Sequence, residues 1–495
     1  MARSFRLPLA VAPFLFVSIA SAQYPGATPI SDELKPGFNA ITIPKAKGIL
    51  KFLSGPECEG RGTGQPGFQK AADFVARKFH DAGLVPMGDH GTYFQNQIFS
   101  RTTAFNVSLV DDKGRMFPGK SLILNAPRAK VDFTAPVVIV RADDTTSKLS
   151  EDDAKKLDGK IVIEVVPQGR SALRSQVGAA DTKATFMVRD GDLGSSSAIR
   201  QGTASSGSST VSGRMSRRAV EQLDSNCGAF LRGATKAPAL LDTGKTFHLK
   251  AESKTEQVMV PNVVGLLPGS DPELKNEYIG IGGHLDHLGI VNGVIYPGAD
   301  DDGSGSTAVM LIADAMAHNP VKPKRGILFM TFCGEEMGLL GSSYLSDHPP
   351  VPLDKMVSEL QMDMVARDSY GAQNGDPNRM DKLEENIQTI RLVGSKRIST
   401  DLDKTILDEN AHIGFKFRYD AEDVYTRSDH YNFAKHGVPI AFLFDGFTPD
   451  YHQPSDTFDK IDFEKLTNSA KLYYLTAYAI ANNPQAPRHD VKQEG

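Results

Sequence analysis

From Pro261 onward, short apolar runs alternate with longer stretches of helical period. The runs are Asn262 to Leu267, Tyr278 to Gly282, Gly326 to Phe332, Glu359 to Met362 and Pro439 to Phe444. Apolar runs of this length, bounded by turn residues, fit strands buried on both faces of a sheet. The predicted fold class is therefore α/β, a mixed, mostly parallel sheet flanked by helices. Nearer the N-terminus, Phe68, Ala72, Val75 and Phe79 recur at three- and four-residue steps, and Gly83 is placed as a stop. That spacing predicts a helix. From about Pro118 to Lys245 the texture changes. Two β-rich stretches, Ala135 to Val140 and Lys160 to Val166, flank an acidic helical segment, Glu151 to Leu157. A Gly/Ser/Thr stretch from Gly194 to Gly213 and a helix-like run from Arg217 to Leu231 follow. This segment reads as a β-rich domain inserted into a larger one.

The first residues carry a different pattern. Arg3 and Arg6 precede an apolar run, Leu7 to Ile19, and Ala20-Ser21-Ala22 then gives a small-x-small site before Gln23. The run is shorter than the roughly 20 residues needed to span a bilayer. A cleaved export signal is expected, with a periplasmic or secreted mature chain that starts near Gln23 and has no membrane span. The expected domains are a signal at 1–22, a split catalytic domain at 23–117 and 246–483, the insertion at 118–245 and a polar tail at 484–495.

Composition narrows the classes further. The chain has 495 residues, 55 of them Lys or Arg and 60 Asp or Glu, for a net charge of −5. That balance gives no electrostatic footprint for nucleic acid. Three cysteines, Cys58, Cys227 and Cys333, make neither a disulfide scaffold nor a Cys-rich zinc module. Cys333 is expected to be a small core residue. The glycines of Glu59-Gly60-Arg61-Gly62-Thr63-Gly64 lack both the preceding strand and the offsets of a dinucleotide fingerprint.

In sheets of this kind, ligands bind beyond the carboxyl ends of the strands. Those ends carry His284-Leu285-Asp286, then Glu335-Glu336, then Asp363, then Asp450-Tyr451-His452-Gln453. Gly298 to Gly305 adds Asp300-Asp301-Asp302. A lone His, a Glu pair or an Asp triplet is ordinarily structural; recurrence at successive strand ends gives them meaning. Carboxylates and imidazoles gathered at one edge are costly without a cation among them, and they are the set zinc takes when no thiolate is offered. His284, Asp301, Glu336, Asp363 and His452 carry three negative charges, which two divalent ions and a hydroxide neutralise. With Asp301 bridging, each ion has three protein ligands and an open position. Asp286 is placed to fix the His284 tautomer, and Glu335 to take a proton from water.

The ordered motifs H-x-D, G-A-D-D-D-x-S-G, G-E-E-x-G-L-L-G-S, x-D-M, S-D-H and Y-H-x-x-x-D resemble the M28 family of dinuclear-zinc aminopeptidases. The resemblance begins at the E-G-R-G-T-G loop and spans most of the mature chain outside the insertion. It implies a zinc-exopeptidase fold with two Zn2+ per chain. Asp301 would bridge them, Glu336 and His452 would complete one site, and His284 and Asp363 the other. It implies Glu335 as general base and Asp286 as the carboxylate standing behind the metal ligand His284. Tyr425, three residues before Ser428-Asp429-His430, matches a tyrosine that in some members steadies the tetrahedral intermediate. A cis peptide at Asp301-Asp302 is implied as well. Asp302 stands where Asn is frequent and Ala366 where Gly is common; neither is a ligand. Leu157-Asp158-Gly159-Lys160-Ile161-Val162 resembles a protease-associated (PA) domain.

The expected function is a metallo-aminopeptidase that removes the N-terminal residue of peptides with a zinc-bridging water activated by Glu335. Other M28-type activities stay open: carboxypeptidase, amide hydrolase or glutaminyl cyclase. A non-catalytic PA-domain binding protein is disfavoured because all five ligands and the base are present. A Ser-His-Asp hydrolase is disfavoured because no G-x-S-x-G elbow occurs, and Ser304 and Ser306 read as helix-entry residues. The insertion has two candidate roles, screening substrates and mediating a homodimer, and no residue in it decides between them.

Overall fold

The strand Gly326–Phe332 shows why this sequence makes a two-faced sheet. Ile327 and Phe329 point into one apolar cluster, while Leu328, Met330 and Phe332 point into another. Every residue of the strand is buried, Thr331 included, as a strand covered on both faces requires. The computed structural model describes residues 23–491, apart from 118–120, 126–129, 168–170, 192, 194–196, 203–210, 292, 369–385 and 387. The expected signal at 1–22, much of the Gly/Ser/Thr stretch and the end of the tail lie outside the described residues.

At one end of the sheet the strands run in the order Lys416–Arg418, Thr389–Val393, Ile440–Phe444, Met356–Met362, Tyr278–His284, Gly326–Phe332 and Ala239–Leu267. The four from Ile440–Phe444 to Gly326–Phe332 are mutually parallel. Antiparallel neighbours close this group on both sides. The helices Gly303–His318 and Phe463–Asn482 pack on one face, their apolar residues joining a single cluster with Ile279, Ile281 and Phe329. The helix expected near Phe68 spans Pro66–Asp81 and buries Phe68, Ala72, Val75 and Phe79.

Two long strands, Phe94–Asp111 and Ala239–Leu267, run antiparallel to each other, from Phe94 opposite Val263 to Asp111 opposite Phe247. They start beside the parallel strands and continue alongside the segment 118–245. The inserted segment has its own apolar cluster, which takes in Leu109 on one strand and Phe247, Leu249 and Ala251 on the other. The segment 118–245 is therefore held between strands shared with the rest of the chain. The helix-like run from Arg217 to Leu231 is two helices, Arg217–Glu221 and Ser225–Leu231. Asp224 separates them because its carboxylate accepts the N–H of Cys227 and caps the second. Among the described residues no helix is long and apolar enough to cross a membrane.

Candidate metal centre

Three loops at the carboxyl ends of the parallel strands are tied together before any ligand is counted. Asp302 caps the helix Gly303–His318, its Oδ1 accepting the N–H of Gly305 at 2.8 Å. The same oxygen accepts the N–H of Met364 at 3.2 Å, and Oδ2 accepts that of His284 at 3.0 Å. A Cβ at Gly283 would stand 3.0 Å from Asp302 Oδ2, so glycine there admits the close approach. Asp456, which closes the Y-H-x-x-x-D motif, accepts the N–H groups of Asp300 and Asp301, both at 3.1 Å. The Asp301-Asp302 peptide is cis. Arg61, fully buried, donates to the carbonyls of Leu285, Leu53, Pro297 and Gly298 at 2.7–2.8 Å. It thereby clamps the loop after His284 to the loop that carries Asp301.

These ties aim the side chains at one another. Asp301 Oδ1 is 3.2 Å from His284 Nε2, which is 3.5 Å from Asp363 Oδ1. Asp301 Oδ2 is 3.2 Å from His452 Nε2, which is 3.0 Å from Glu336 Oε2. One carboxylate thus faces two imidazole–carboxylate pairs, one with each oxygen. Glu335 Oε2 lies 3.9 Å from His284 Nε2, on the first of these sides. All five expected ligands are gathered here, with Glu335 beside them.

A sixth candidate ligand was not expected. His287 is buried with its Nδ1 2.8 Å from Glu336 Oε1 and 3.7 Å from Asp301 Oδ2. Two donor sets have the spacing of cation ligands: His284, Glu335 and Asp363, and His287, Asp301 and Glu336. Asp301 Oδ2, Glu336 Oε1 and both ring nitrogens of His287 are buried without a well-aimed hydrogen-bond partner among the described residues. Donor atoms that crowd one point without bonding each other fit a shared cation.

The electrostatics agree. Burial would lower the His284 imidazole, but Asp363, Glu335 and Asp301 overcome it and raise it well above its ordinary value. Burial likewise opposes His452, whose contacts with Asp301 and Glu336 push it up to about 10. Burial would raise Asp301, yet His287, His284 and His452 hold it well below the carboxylate range. Glu335 goes the other way: burial, reinforced by Asp363, Asp429 and Glu336, lifts it well above that range. The centre collects positive charge, and one of its carboxyls is poised to hold a proton.

Two expected roles change in detail. The His284 Nδ1 contact is with the backbone carbonyl of Asp286 at 2.9 Å, while the Asp286 carboxylate stands 3.8 Å away. That carboxylate instead accepts the Thr63 hydroxyl at 2.7 Å and the Glu335 N–H at 3.1 Å. Tyr425 is not brought to the centre. It is buried with Arg397 over its ring at 4.3 Å, and its neighbours Val424 and Arg427, not Tyr425, line the cleft. The tyrosine that does line it is Tyr451, stacked on His452 with ring centroids 3.8 Å apart. Ser428-Asp429-His430 forms no nucleophilic triad, because His430 Nε2 is bound to the Tyr425 carbonyl at 2.7 Å and burial drives its pKa down to about 3. Cys333 is a buried free thiol beside the Gln97 amide.

The centre opens to two sides. On the side of His284, Glu335 and Asp363 lies a small recess walled by Met364, Val424, Phe442, Phe444 and Phe447. On the side of His287 and Glu336 lies a cleft of about 530 Å³ whose far wall comes from the inserted segment.

Residues 262–477 match Peptidase family M28. A protein of Arthroderma otae named "Probable leucine aminopeptidase" is 29% identical over 247 residues, covering 48% of this chain and 62% of that protein. The chain thus spans about three-fifths of the length of the first curated relatives it matches. A "Probable leucine aminopeptidase 2" of Aspergillus fumigatus is 24% identical over 510 residues, covering 96% of this chain and 91% of the relative. Among solved structures, a zinc aminopeptidase from Bacillus subtilis superposes with a TM-score of 0.61 at 18% identity, covering 92% of this chain and 98% of the other. An aminopeptidase from Aneurinibacillus sp. strain AM-1 gives 0.58 at 20% identity, with 93% and 98% covered. At these identities the structural likeness establishes the fold, the mixed sheet flanked by helices.

Proposed function

We propose, from the match of residues 262–477 to Peptidase family M28, that the chain is a zinc-dependent aminopeptidase of that family. The carrying observation is Asp301, whose two carboxylate oxygens each lie 3.2 Å from an imidazole of a different ligand group. That arrangement supports a bridge between two cations. His284 and Asp363 would hold one zinc ion, and Glu336 and His452 the other. When bound, such a pair supplies Lewis acidity, acidifying water and polarising a carbonyl.

The chain's own residues do the rest. Glu335, held by its backbone on Asp286, takes a proton from the attacking water and returns it to the leaving amine. The Tyr451 hydroxyl accepts from Arg427 at 3.2 Å, which leaves its own proton free to steady a developing oxyanion. The recess beside the centre has an apolar wall of Met364, Val424 and the three phenylalanines, which suits an apolar first side chain. The reading includes export, with residues 1–22 removed, and a PA-type insertion forming the far wall of the cleft.

A panel of aminoacyl anilides, free and N-acetylated, tests it with and without chelator. Chelator-sensitive release from free Leu-anilide, with none from the acetylated form, is expected. Cleavage of the acetylated substrates, or cleavage indifferent to chelator, would overturn the reading.

A further inference from the structure

The cleft on the His287 and Glu336 side has two walls of opposite character. One wall carries Gln65, Asp286, His287 and Glu336; facing it are Arg101, from the strand Phe94–Asp111, and Arg214, from the segment 118–245. Arg101 is answered by Glu256, 3.2 Å away. Arg214 has no ion pair among the described residues, and its Nε is buried without a hydrogen-bond partner. It projects from the strand Val211–Ser216, paired on one side with Leu122–Asn125 and on the other with Ala184–Arg189. Both neighbours are firmly registered, with Ile123 and Met187 opposite Arg214, so its backbone is fixed.

Among the described residues no carboxylate pairs with Arg214, and its neighbours are mostly cationic. Arg189 lies close enough to feel it: burial, then the charges of Arg214 and Arg174, lower the Arg189 guanidinium. Glu164, the carboxylate of this group, is 3.8 Å from Arg174, and burial lifts its pKa to about 7. Arg214 is half-buried, and its enclosed Nε lacks a partner that a ligand carboxylate can supply.

Here the inference rests on the aminopeptidase reading. If the first side chain fills the apolar recess, the peptide crosses the metal centre and its remaining residues enter this cleft. We infer that Arg214 is a specificity residue that binds the C-terminal carboxylate of short peptides, making di- to tetrapeptides the preferred substrate class. A planar guanidinium takes a carboxylate through two parallel N–H donors, which a primary amide cannot match in charge. Each added residue lengthens an extended peptide by about 3.3–3.6 Å, so only one or two lengths will place the carboxylate on Arg214.

The test compares Leu-Gly, Leu-Gly-Gly and Leu-Gly-Gly-Gly with their C-terminal amides on the zinc-loaded enzyme, using Leu-p-nitroanilide as a substrate without a carboxylate. For the best length, amidation should lower kcat/KM by about ten- to a hundredfold, chiefly through KM. Arg214→Gln should abolish the acid-to-amide ratio and leave anilide hydrolysis unchanged. Arg214→Lys, which keeps the charge, should retain part of the ratio. Equal rates for acids and amides in the parent enzyme, or an unchanged ratio in Arg214→Gln, would overturn the inference while anilide hydrolysis leaves the aminopeptidase reading standing. No hydrolysis of anilide or peptides by the zinc-loaded chain would overturn both.

Discussion

The Thr63 hydroxyl donates to Asp286 Oδ2 across 2.7 Å, while the other oxygen of Asp286 accepts the backbone N–H of Glu335. Gly334, just before Glu335, also donates its N–H to the Thr63 hydroxyl at 3.1 Å. The Gly-rich loop Glu59 to Gly64 thus sets the backbone position of the proposed base. Thr63→Val keeps the shape but leaves a buried carboxylate one partner short, which is expected to destabilise by about 1–3 kcal/mol. It should lower kcat more than it changes KM, with zinc content preserved. Steady-state kinetics beside zinc analysis checks this; a variant that loses zinc and keeps kcat per bound zinc would contradict it.

His287 gives the second prediction. It sits 2.8 Å from Glu336 and is enclosed, so it either orients that ligand or ligates with it. In both cases His287→Phe, of similar shape, should weaken zinc binding at the Glu336 side by about 10–100-fold and leave the other ion in place. Competition with a chromophoric chelator reads the two affinities separately. Unchanged affinity at both sites would show that His287 is only a packing residue.

Glu335→Gln isolates the proton-transfer step. The amide fills the same space but cannot accept the proton, so turnover should fall by about 10²–10⁴. Zinc content should match the parent. Near-normal turnover in a zinc-replete variant would remove Glu335 from the mechanism.

The convergence of the strand-end side chains was legible in the sequence because it follows from topology. His284, Asp301, Glu336, Asp363 and His452 each stand just past a strand or at a helix entry, and parallel strands bring those ends to one edge. His287 was passed over because H-x-D accounted for the first histidine, and nothing in the sequence says that the loop after Asp286 turns back toward Glu336. The turn depends on Arg61, which binds the Leu285 and Gly298 carbonyls from a loop more than two hundred residues earlier. The direction of Tyr425 was equally hidden, since it depends on the packing of Arg397 against its ring. The long strand Ala239–Leu267 was legible only at its apolar end. Its middle, Ala251 to Gln257, is polar and charged and reads as a loop until its partner Phe94–Asp111 is known.

A fourth prediction lies outside the centre. Lys471 is buried on the helix Phe463–Asn482 with its ammonium 4.8 Å from the Phe38 ring centroid, and burial lowers its pKa from 10.5 to about 8. Between those values the unfolded chain holds more protons than the folded one, so stability should rise with pH from about 8 to 10.5. Lys471→Met should flatten that rise and add about 1–3 kcal/mol at neutral pH. Urea unfolding at several pH values measures both, and a parent protein whose stability falls over this interval would refute the assignment.

The most direct test of a two-zinc centre bridged by Asp301 is anomalous diffraction from crystals of the zinc-loaded protein, recorded on both sides of the zinc absorption edge. The account predicts two zinc peaks flanking the Asp301 carboxylate, one beside His284 and Asp363 and the other beside Glu336 and His452. A single peak, or two peaks that do not share Asp301, would contradict it.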